Sequence, residues 1–350
     1  MSHNPRVPVM DGNGKPLMPT RASRAKKWLK SGKAERRWSK EGVFYVQLTG
    51  SPSGQEVQEM VLAIDPGSKF DGYSVAGTKE VALMGMAVLP RLVQERMETR
   101  RMLRRNRRNR NCRRREARFG NRKKPDGWIA PSQLAKVQLR IRLMKRLCKL
   151  FPITDIIIED VRFNHFAKRW GKWFSTVEIG KTMVYKAARE LAKLWLPRGW
   201  DTAQARSDYR IKKCSQKGKL ASESHANDAW AMICWFFGEK PENTTGEFYI
   251  WRRQECSRRQ LHLQNFSKGR RRKVYGGTTH PKSDLRKGDV IRYANKITGY
   301  VGGWTKDGKL VSLIGSNSKR IRQAGAGMIE LLTHAPNILT ERRKAHSFPA

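Results

Sequence analysis

The sequence predicts an α/β core, a mixed sheet with flanking helices that is split by a long arginine-rich helix, with a small α+β domain before it and a β-rich domain after it. Three observations predict this. Short apolar runs at 59–65, 72–77 and 81–88 are separated by glycine-containing turns, as in an antiparallel meander. A helix-periodic stretch from Pro131 leads through Phe151-Pro152 to the run 155–161, a helical crossover that favours parallel pairing with the first run. Four polar residues then mark the edges of separated apolar stretches: Asp65 after 61–64, Glu159 after 156–158, and His225 with Asp228 opening 229–233.

Taken in chain order, residues 5–10 form a strand, Asp11-Gly12-Asn13-Gly14 a turn, and Thr20 the N-cap of a basic helix running to about Ser31. Its Arg21, Arg24, Lys26, Lys27 and Lys30 make a face for phosphates or for solvent. Residues 43–48 form another strand, and the Gly50-Ser51-Pro52-Ser53-Gly54 linker closes the domain. After the meander, 96–124 hold 13 Arg, 2 Lys and 2 Glu, net +13. Met97, Met102 and Leu103 are too few to bury a face, and like charges at i,i+4 oppose a free helix. The segment is either a helix held straight by phosphates or disordered until it binds them. Leu134, Val137, Ile141, Met144, Leu147 and Cys148 recur at three- and four-residue spacing, the mark of a core-packed helix. A second amphipathic helix is expected at 180–196, a short strand near 202–205, and a third helix from 222–224 to about Phe237. Beyond Gly238, residues 251–273 are basic with interleaved aromatics, and from Gly288 to about Arg322 alternating runs predict a small sheet or barrel. No internal repeat is found.

Composition narrows the partners. Lys plus Arg number 73 against 30 Asp plus Glu, a net charge of +43 over 350 residues. Such an excess repels itself and calls for a polyanion. With aromatics and a patterned core present, nucleic acid fits better than a membrane surface, and affinity should fall steeply with salt. No apolar run approaches the ~18 residues of a membrane span, and no signal-peptide core is read at the N-terminus, so a cytoplasmic protein is expected. The five cysteines (Cys112, Cys148, Cys214, Cys234, Cys256) are scattered without a C-x-x-C pair, so neither a disulfide framework nor a zinc ribbon is expected.

The acids carry the chemistry. A carboxylate ending a core strand faces several kcal/mol of desolvation unless cations or donors offset it. A shared pair of divalent ions would offset all of them and is suited to phosphodiester hydrolysis. Asp65 precedes Pro66-Gly67, so it either projects from a turn toward a cleft or simply forms that turn. Glu159 and Asp160 point to opposite faces by strand alternation, and either acid is a candidate for the inward one. His225 and Asp228 lie three apart at the start of a helix and share a face.

This order of elements and acids matches the layout of RNase H-like nucleases and resembles the split RuvC domain of RNA-guided nucleases. Residues 61–67 resemble its first motif, 156–161 its second, and Ser224-His225-Ala226-Asn227-Asp228-Ala229 its third. The arginine-rich segment resembles the bridge helix laid along guide RNA. Lys15-Pro16-Leu17-Met18-Pro19 is similar to the P-L-M-P signature of the IscB and IsrB transposon-associated proteins. His165 is the one histidine between Glu159 and His225, too few for an inserted HNH nuclease, so the resemblance is to the IsrB type.

That resemblance implies a Mg²⁺-dependent nickase guided by a large omega RNA, acting on double-stranded DNA beside a short target-adjacent motif, one protein per RNA. It implies two Mg²⁺ ions, with Mn²⁺ as a substitute, held by Asp65, Glu159, His225 and Asp228, the imidazole serving as ligand or as general base. It implies guide-backbone contacts at Arg100, Arg101, Arg104, Arg105, Arg107, Arg108, Arg110, Arg113, Arg114, Arg115 and Arg118. Lys168-Arg169-Trp170 and Lys172-Trp173-Phe174 are candidates for stacking on unpaired bases or for the core. The expected division is a PLMP-like domain at 1–54, RuvC segments at 55–90, 126–200 and 201–240, a bridge helix at 91–125, an RNA-stem region at 241–285 and a motif-reading domain at 286–350. A guide-independent resolvase of Holliday-junction type and a non-catalytic RNA-binding scaffold are the competing readings.

Overall fold

The computed structural model describes residues 5–40, 42–54, 56–109, 127–161, 176–213, 225–253, 280, 282–317, 319–334 and 338–344. The chain divides into two compact units, 57–243 and 1–56 together with 244–350.

In the second of these, the N-terminal part is a four-stranded sheet with one helix: β1 (Arg6–Met10), β2 (Pro16–Arg21), α1 (Ala22–Lys30), β3 (Ala34–Trp38) and β4 (Phe44–Leu48), in the order β2-β1-β4-β3. Asp11 builds the first turn, its Oδ1 accepting the Asn13 and Lys15 backbone N–H groups at 2.9 and 2.8 Å. Thr20 is not an N-cap. It is buried within β2, and Arg21 precedes α1 without a side-chain cap. The reason is that Pro16-Leu17-Met18-Pro19 extends as a strand against β1, since proline at an edge loses no ladder bond. Val7, Val9, Leu17, Ala25, Ala34 and Val46 form the core of this part.

The unit 57–243 carries the candidate site. Its strands are β5 (Met60–Pro66), β6 (Phe70–Gly77), β7 (Val81–Val88), β8 (Asp155–Ile158) and β9 (Lys193–Trp195), arranged β7-β6-β5-β8-β9. The first three are antiparallel, while β8 pairs parallel with β5 and β9 with β8. The meander and the crossover are therefore as expected, and this order with antiparallel strands on one side only is the RNase H-like fold. Helix α2 (Leu92–Arg108) follows β7, and its Arg100, Arg101, Arg104, Arg105 and Arg108 are exposed. Arg110, Arg113, Arg114, Arg115 and Arg118 lie outside the described residues, as does the 168–174 cluster.

Helix α3 (Pro131–Leu150) opens with proline at its first turn and buries Val137, Leu143, Met144 and Leu147. Two expectations fail downstream. The helix expected at 180–196 is α4 (Thr176–Arg189), which stops so that 193–195 can join the sheet as β9. The strand expected near 202–205 is α5 (Gly199–Asp208), because Arg198 N–H donates to Asp201 Oδ2 at 2.8 Å and caps a helix there. The third helix, α6 (Ala226–Phe237), begins after 222–224, which lie outside the described residues. His225 precedes it and Gly238 ends it in the left-handed region at φ 68°. Residues 226–234 of α6 are all buried, as suits a helix packed on the sheet.

In the C-terminal part, β10 (Glu247–Arg253) pairs antiparallel with β16 (Ile338–Lys344). Between them β11 (Val290–Tyr293), β12 (Ile297–Thr305), β13 (Leu310–Ile314), β14 (Arg320–Gly325) and β15 (Ile329–Thr333) form an antiparallel sheet in the order β14-β13-β12-β11-β15. This is the small sheet the alternating runs predicted. The basic stretch 254–273 lies outside the described residues.

Candidate active site

Three elements bring the predicted residues together. Strand β5 ends with Asp65, β8 delivers Glu159 at its exit, and α6 starts with His225 and Asp228. His225 Nδ1 stands 2.7 Å from Asp65 Oδ2. Burial opposes the charged imidazole, but the Asp65 hydrogen bond and the fields of Asp65, Asp228 and Asp71 outweigh it and raise the His225 pKa. The Glu159 carboxyl is pushed up to about 7, first by burial and then by the negative field of Asp65, with a Thr202 hydrogen bond pulling the other way. Asp228 is raised by burial and by Asp65 against the pull of Lys213 and Arg206. These mutual fields mean that the acids of three separate elements share one small region. Glu159 is the inward acid. Asp160 faces the other way, accepting Tyr185 Oη–H at 3.0 Å and the Lys181 ammonium at 2.9 Å.

The backbone makes the approach possible. A Cβ built on Gly72 would lie 2.1 Å from the His225 carbonyl oxygen, and one on Gly67 would lie 2.0 Å from the Phe70 carbonyl oxygen and 3.2 Å from His225 Cε1. Glycine at both positions lets β6 and the turn after Asp65 touch the start of α6 directly. Behind that turn, Asp71 is fully buried and accepts Arg140 Nε at 2.9 Å, a second Arg140 nitrogen at 2.6 Å and the Gly67 N–H at 3.0 Å. This brace ties α3 to the Asp65 turn.

Cations reach the acids from the protein itself. Asp228 accepts Arg206 at 2.8 Å and Lys213 Nζ at 2.7 Å. Asn227 Nδ2 donates to the Lys212 carbonyl at 2.7 Å and fixes the segment that presents Lys213. Among the described residues, no set of three or more His, Cys, Asp or Glu side chains is arranged to hold a metal ion. Asp65 is turned to His225, and Asp228 to Arg206 and Lys213. The donor set of three carboxylates and an imidazole nonetheless suits a hard divalent cation, and Glu159, raised first by burial, also lies in the negative field of Asp65 and Asp228. Fit is thus met in chemistry, with side chains closed onto internal cations.

Sequence reasoning missed Asp71, Arg140, Thr202, Arg206 and Lys213. Asp71 had a signal, an acid between Phe70 and Gly72 at the head of an apolar run, but its arginine is 69 positions away. Thr202 and Arg206 were hidden by reading a strand where α5 lies.

Strand order defines an RNase H-like fold, in which Asp65, Glu159, His225 and Asp228 share one region. The model of the RRXRR protein family matches residues 7–174. No curated protein matches the sequence. Among solved structures, the chain is similar to Thermus thermophilus RuvC in complex with a Holliday junction substrate, at 14% identity, 51% of this chain, 94% of that chain and a TM-score of 0.28. The yeast mitochondrial Holliday junction resolvase Ydc2 is similar at 14% identity, with 51% and 78% covered and a TM-score of 0.28. Among the described residues, no helix is long and apolar enough to cross a membrane.

Proposed function

We propose that the chain is an RNA-guided DNA endonuclease that cuts one strand. A large omega-type guide RNA pairs with the target strand beside a short target-adjacent motif, and the displaced strand is hydrolysed at Asp65, Glu159, His225 and Asp228. The observation that carries this reading is the gathering of Asp65, Glu159, His225 and Asp228 from β5, β8 and α6, where burial first and the field of Asp65 second raise Glu159 to about 7. Asp65, Glu159 and Asp228 are the residues that would hold two Mg²⁺ ions, with His225 as a further ligand or as base. Magnesium, when bound, supplies an activated water and charge stabilisation at the leaving oxygen.

The side chains divide the remaining work. In the neutral tautomer that donates its Nδ1 proton to Asp65, His225 Nε2 is the nitrogen that would accept a proton from the attacking water. Arg206 and Lys213 favour the ionised form of Asp228 against burial and orient it until a stronger cation arrives. The Asp71–Arg140 brace holds the turn that aims Asp65. The net +43 charge and the exposed arginines of α2 support a nucleic-acid partner of long contact, and base pairing in such a complex would read sequence while the protein reads backbone shape. A single such acid cluster among the described residues supports a nick rather than a double-strand break. Such a protein would work in the cytoplasm, at the nucleoid when on its target.

The test is to purify the protein with co-expressed RNA, sequence that RNA, and incubate the complex with a plasmid library carrying randomised flanks. Supercoiled plasmid should become open circle with Mg²⁺, and Asp65→Ala should abolish the conversion. Cutting that survives RNase treatment would instead mark a guide-independent, structure-selective endonuclease. RNA binding without any cutting would mark a scaffold.

A further inference from the structure

We propose that the hollow between α3 and α4, behind the turn that follows Asp65, seats one unpaired nucleobase of the strand being cut, and that Gln133 reads the edge of that base. This rests on the acid cluster being a nuclease centre. Pro66 and Ile158 at the ends of β5 and β8, Val137 of α3, and Val177 and Val184 of α4 line the hollow with hydrocarbon. Its volume is about 210 Å³. A site for a drug-sized molecule spans ~300–1,000 Å³, so this one suits a single ring system. Two residues fix its place relative to the acids. Glu159 borders it, and so does Gly67, where a built Cβ would lie 3.2 Å from His225 Cε1. The backbone of the Asp65 turn is thus the partition between the hollow and the imidazole. A strand with its phosphate at the acids crosses that turn, which brings a neighbouring base within reach of the hollow.

The polar groups on the wall select the occupant. Lys181 and Arg140 border the hollow but are held by carboxylates, Lys181 by Asp160 at 2.9 Å and Arg140 by Asp71 at 2.6 Å. Lys136 differs. Its ammonium donates to the Ser68 carbonyl at 2.8 Å, and among the described residues no carboxylate pairs with it, so it is left to meet a phosphate. Gln133 lies half-buried in the first turn of α3, and among the described residues its side chain has no hydrogen-bond partner. The amide offers a donor and an acceptor side by side, the pattern that matches the edge of a base. Apolar walls for a flat ring, an amide for its edge and an ammonium for the phosphate beside it together match the parts of one nucleotide. A base inside a duplex is stacked and cannot enter, so the displaced strand is the one that fits.

The experiment uses the full chain with its co-purified RNA. A single abasic site is walked along the displaced strand of the target, and nicking by the parent is compared with nicking by Val177→Phe, which brings a ring into the hollow from its exposed rim, and by Gln133→Leu. In the parent, an abasic site at one position beside the cut should slow nicking about tenfold. Val177→Phe should be slower by about the same factor on the intact strand and lose nothing more to the abasic site at that position. With each of the four bases placed there, parent rates should spread about tenfold, and Gln133→Leu should level them while keeping the abasic penalty. Both variants should melt as the parent does, because neither side chain is fully buried. A parent that nicks equally well wherever the abasic site stands, or an undiminished abasic penalty in Val177→Phe, would overturn the inference and leave the nuclease reading standing. A base preference unchanged in Gln133→Leu would overturn the part given to Gln133. Protein that neither nicks nor opens the target would overturn both the inference and the nuclease reading.

Discussion

Replacing Gly72 by alanine should move the start of α6 and with it half of the acid cluster. Gly72 pairs with Asp65 across β5 and β6, and a Cβ there would lie 2.1 Å from the His225 carbonyl oxygen, 2.4 Å from its carbon and 2.9 Å from the Ala226 nitrogen. Ordinary contact begins near 3.4 Å, so the His225 carbonyl must retreat by more than an ångström. That carbonyl also accepts the Ala229 N–H at 3.1 Å, so the first turn of the helix would move with it, carrying His225 and Asp228. Overpacking of this kind costs about 1–3 kcal/mol. For a unit of this size, at about 2–4 °C per kcal/mol, Tm should fall by roughly 2–12 °C. A displacement near 1 Å should slow plasmid nicking by about 100-fold. Gly77→Ala is the control, because a Cβ on that glycine in the same strand meets only the Glu59 carbonyl oxygen at 3.6 Å. Calorimetric melting and a nicking time course read both variants. If Gly72→Ala melts and cuts like Gly77→Ala, the close approach of β6 to α6 is wrong.

Three further outcomes follow from the same geometry. Without divalent ions, Glu159 is raised from 4.5 to about 7 in the folded state, so the fold binds the proton more tightly than the unfolded chain. Its stabilising contribution is therefore complete below about pH 4.5 and is lost as pH rises through about 7; Glu159→Gln should flatten that fall in Tm, and parallel wild-type and variant curves would contradict it. Asp71→Asn strands the Arg140 charge in the interior and should cost about 3–5 kcal/mol in urea unfolding, while Asp71→Leu with Arg140→Met should recover much of it. Strictly additive single and double variants would show that the two do not act as a pair. Lys213→Met removes a cation that competes for Asp228 and should tighten Mn²⁺ binding, so weaker binding in a titration would count against its role as stand-in.

The core of this fold was legible because its signals are short-range. Glycine-bounded apolar runs gave β5, β6 and β7, and the periodicity after Pro131 gave α3 and the parallel placing of β8. The site acids were legible for a related reason: Asp65, Glu159 and Asp228 each interrupt an apolar stretch, where an ionised group is conspicuous. What stayed hidden depended on distant partners. Nothing local shows that Asp71 meets Arg140 or that Lys213 reaches Asp228. Residues 193–195 continue a helical pattern in sequence but become β9 because the edge of β8 needs a partner. The 202–205 run was misread because the Asp201 cap, a side chain bonding back three positions, outweighs its weak local preference. Likewise Pro16–Arg21 gave no strand signal, since its extension depends on the ladder with β1.

The central claim is that Asp65, Glu159, His225 and Asp228 form one divalent-cation centre. Titrating Mn²⁺ into the purified protein, with free ion read by electron paramagnetic resonance, tests it most directly. Two bound ions in the wild type, reduced in folded Asp65→Asn and in folded Asp228→Asn alike, is the predicted result. Equal Mn²⁺ uptake by all three proteins would contradict it.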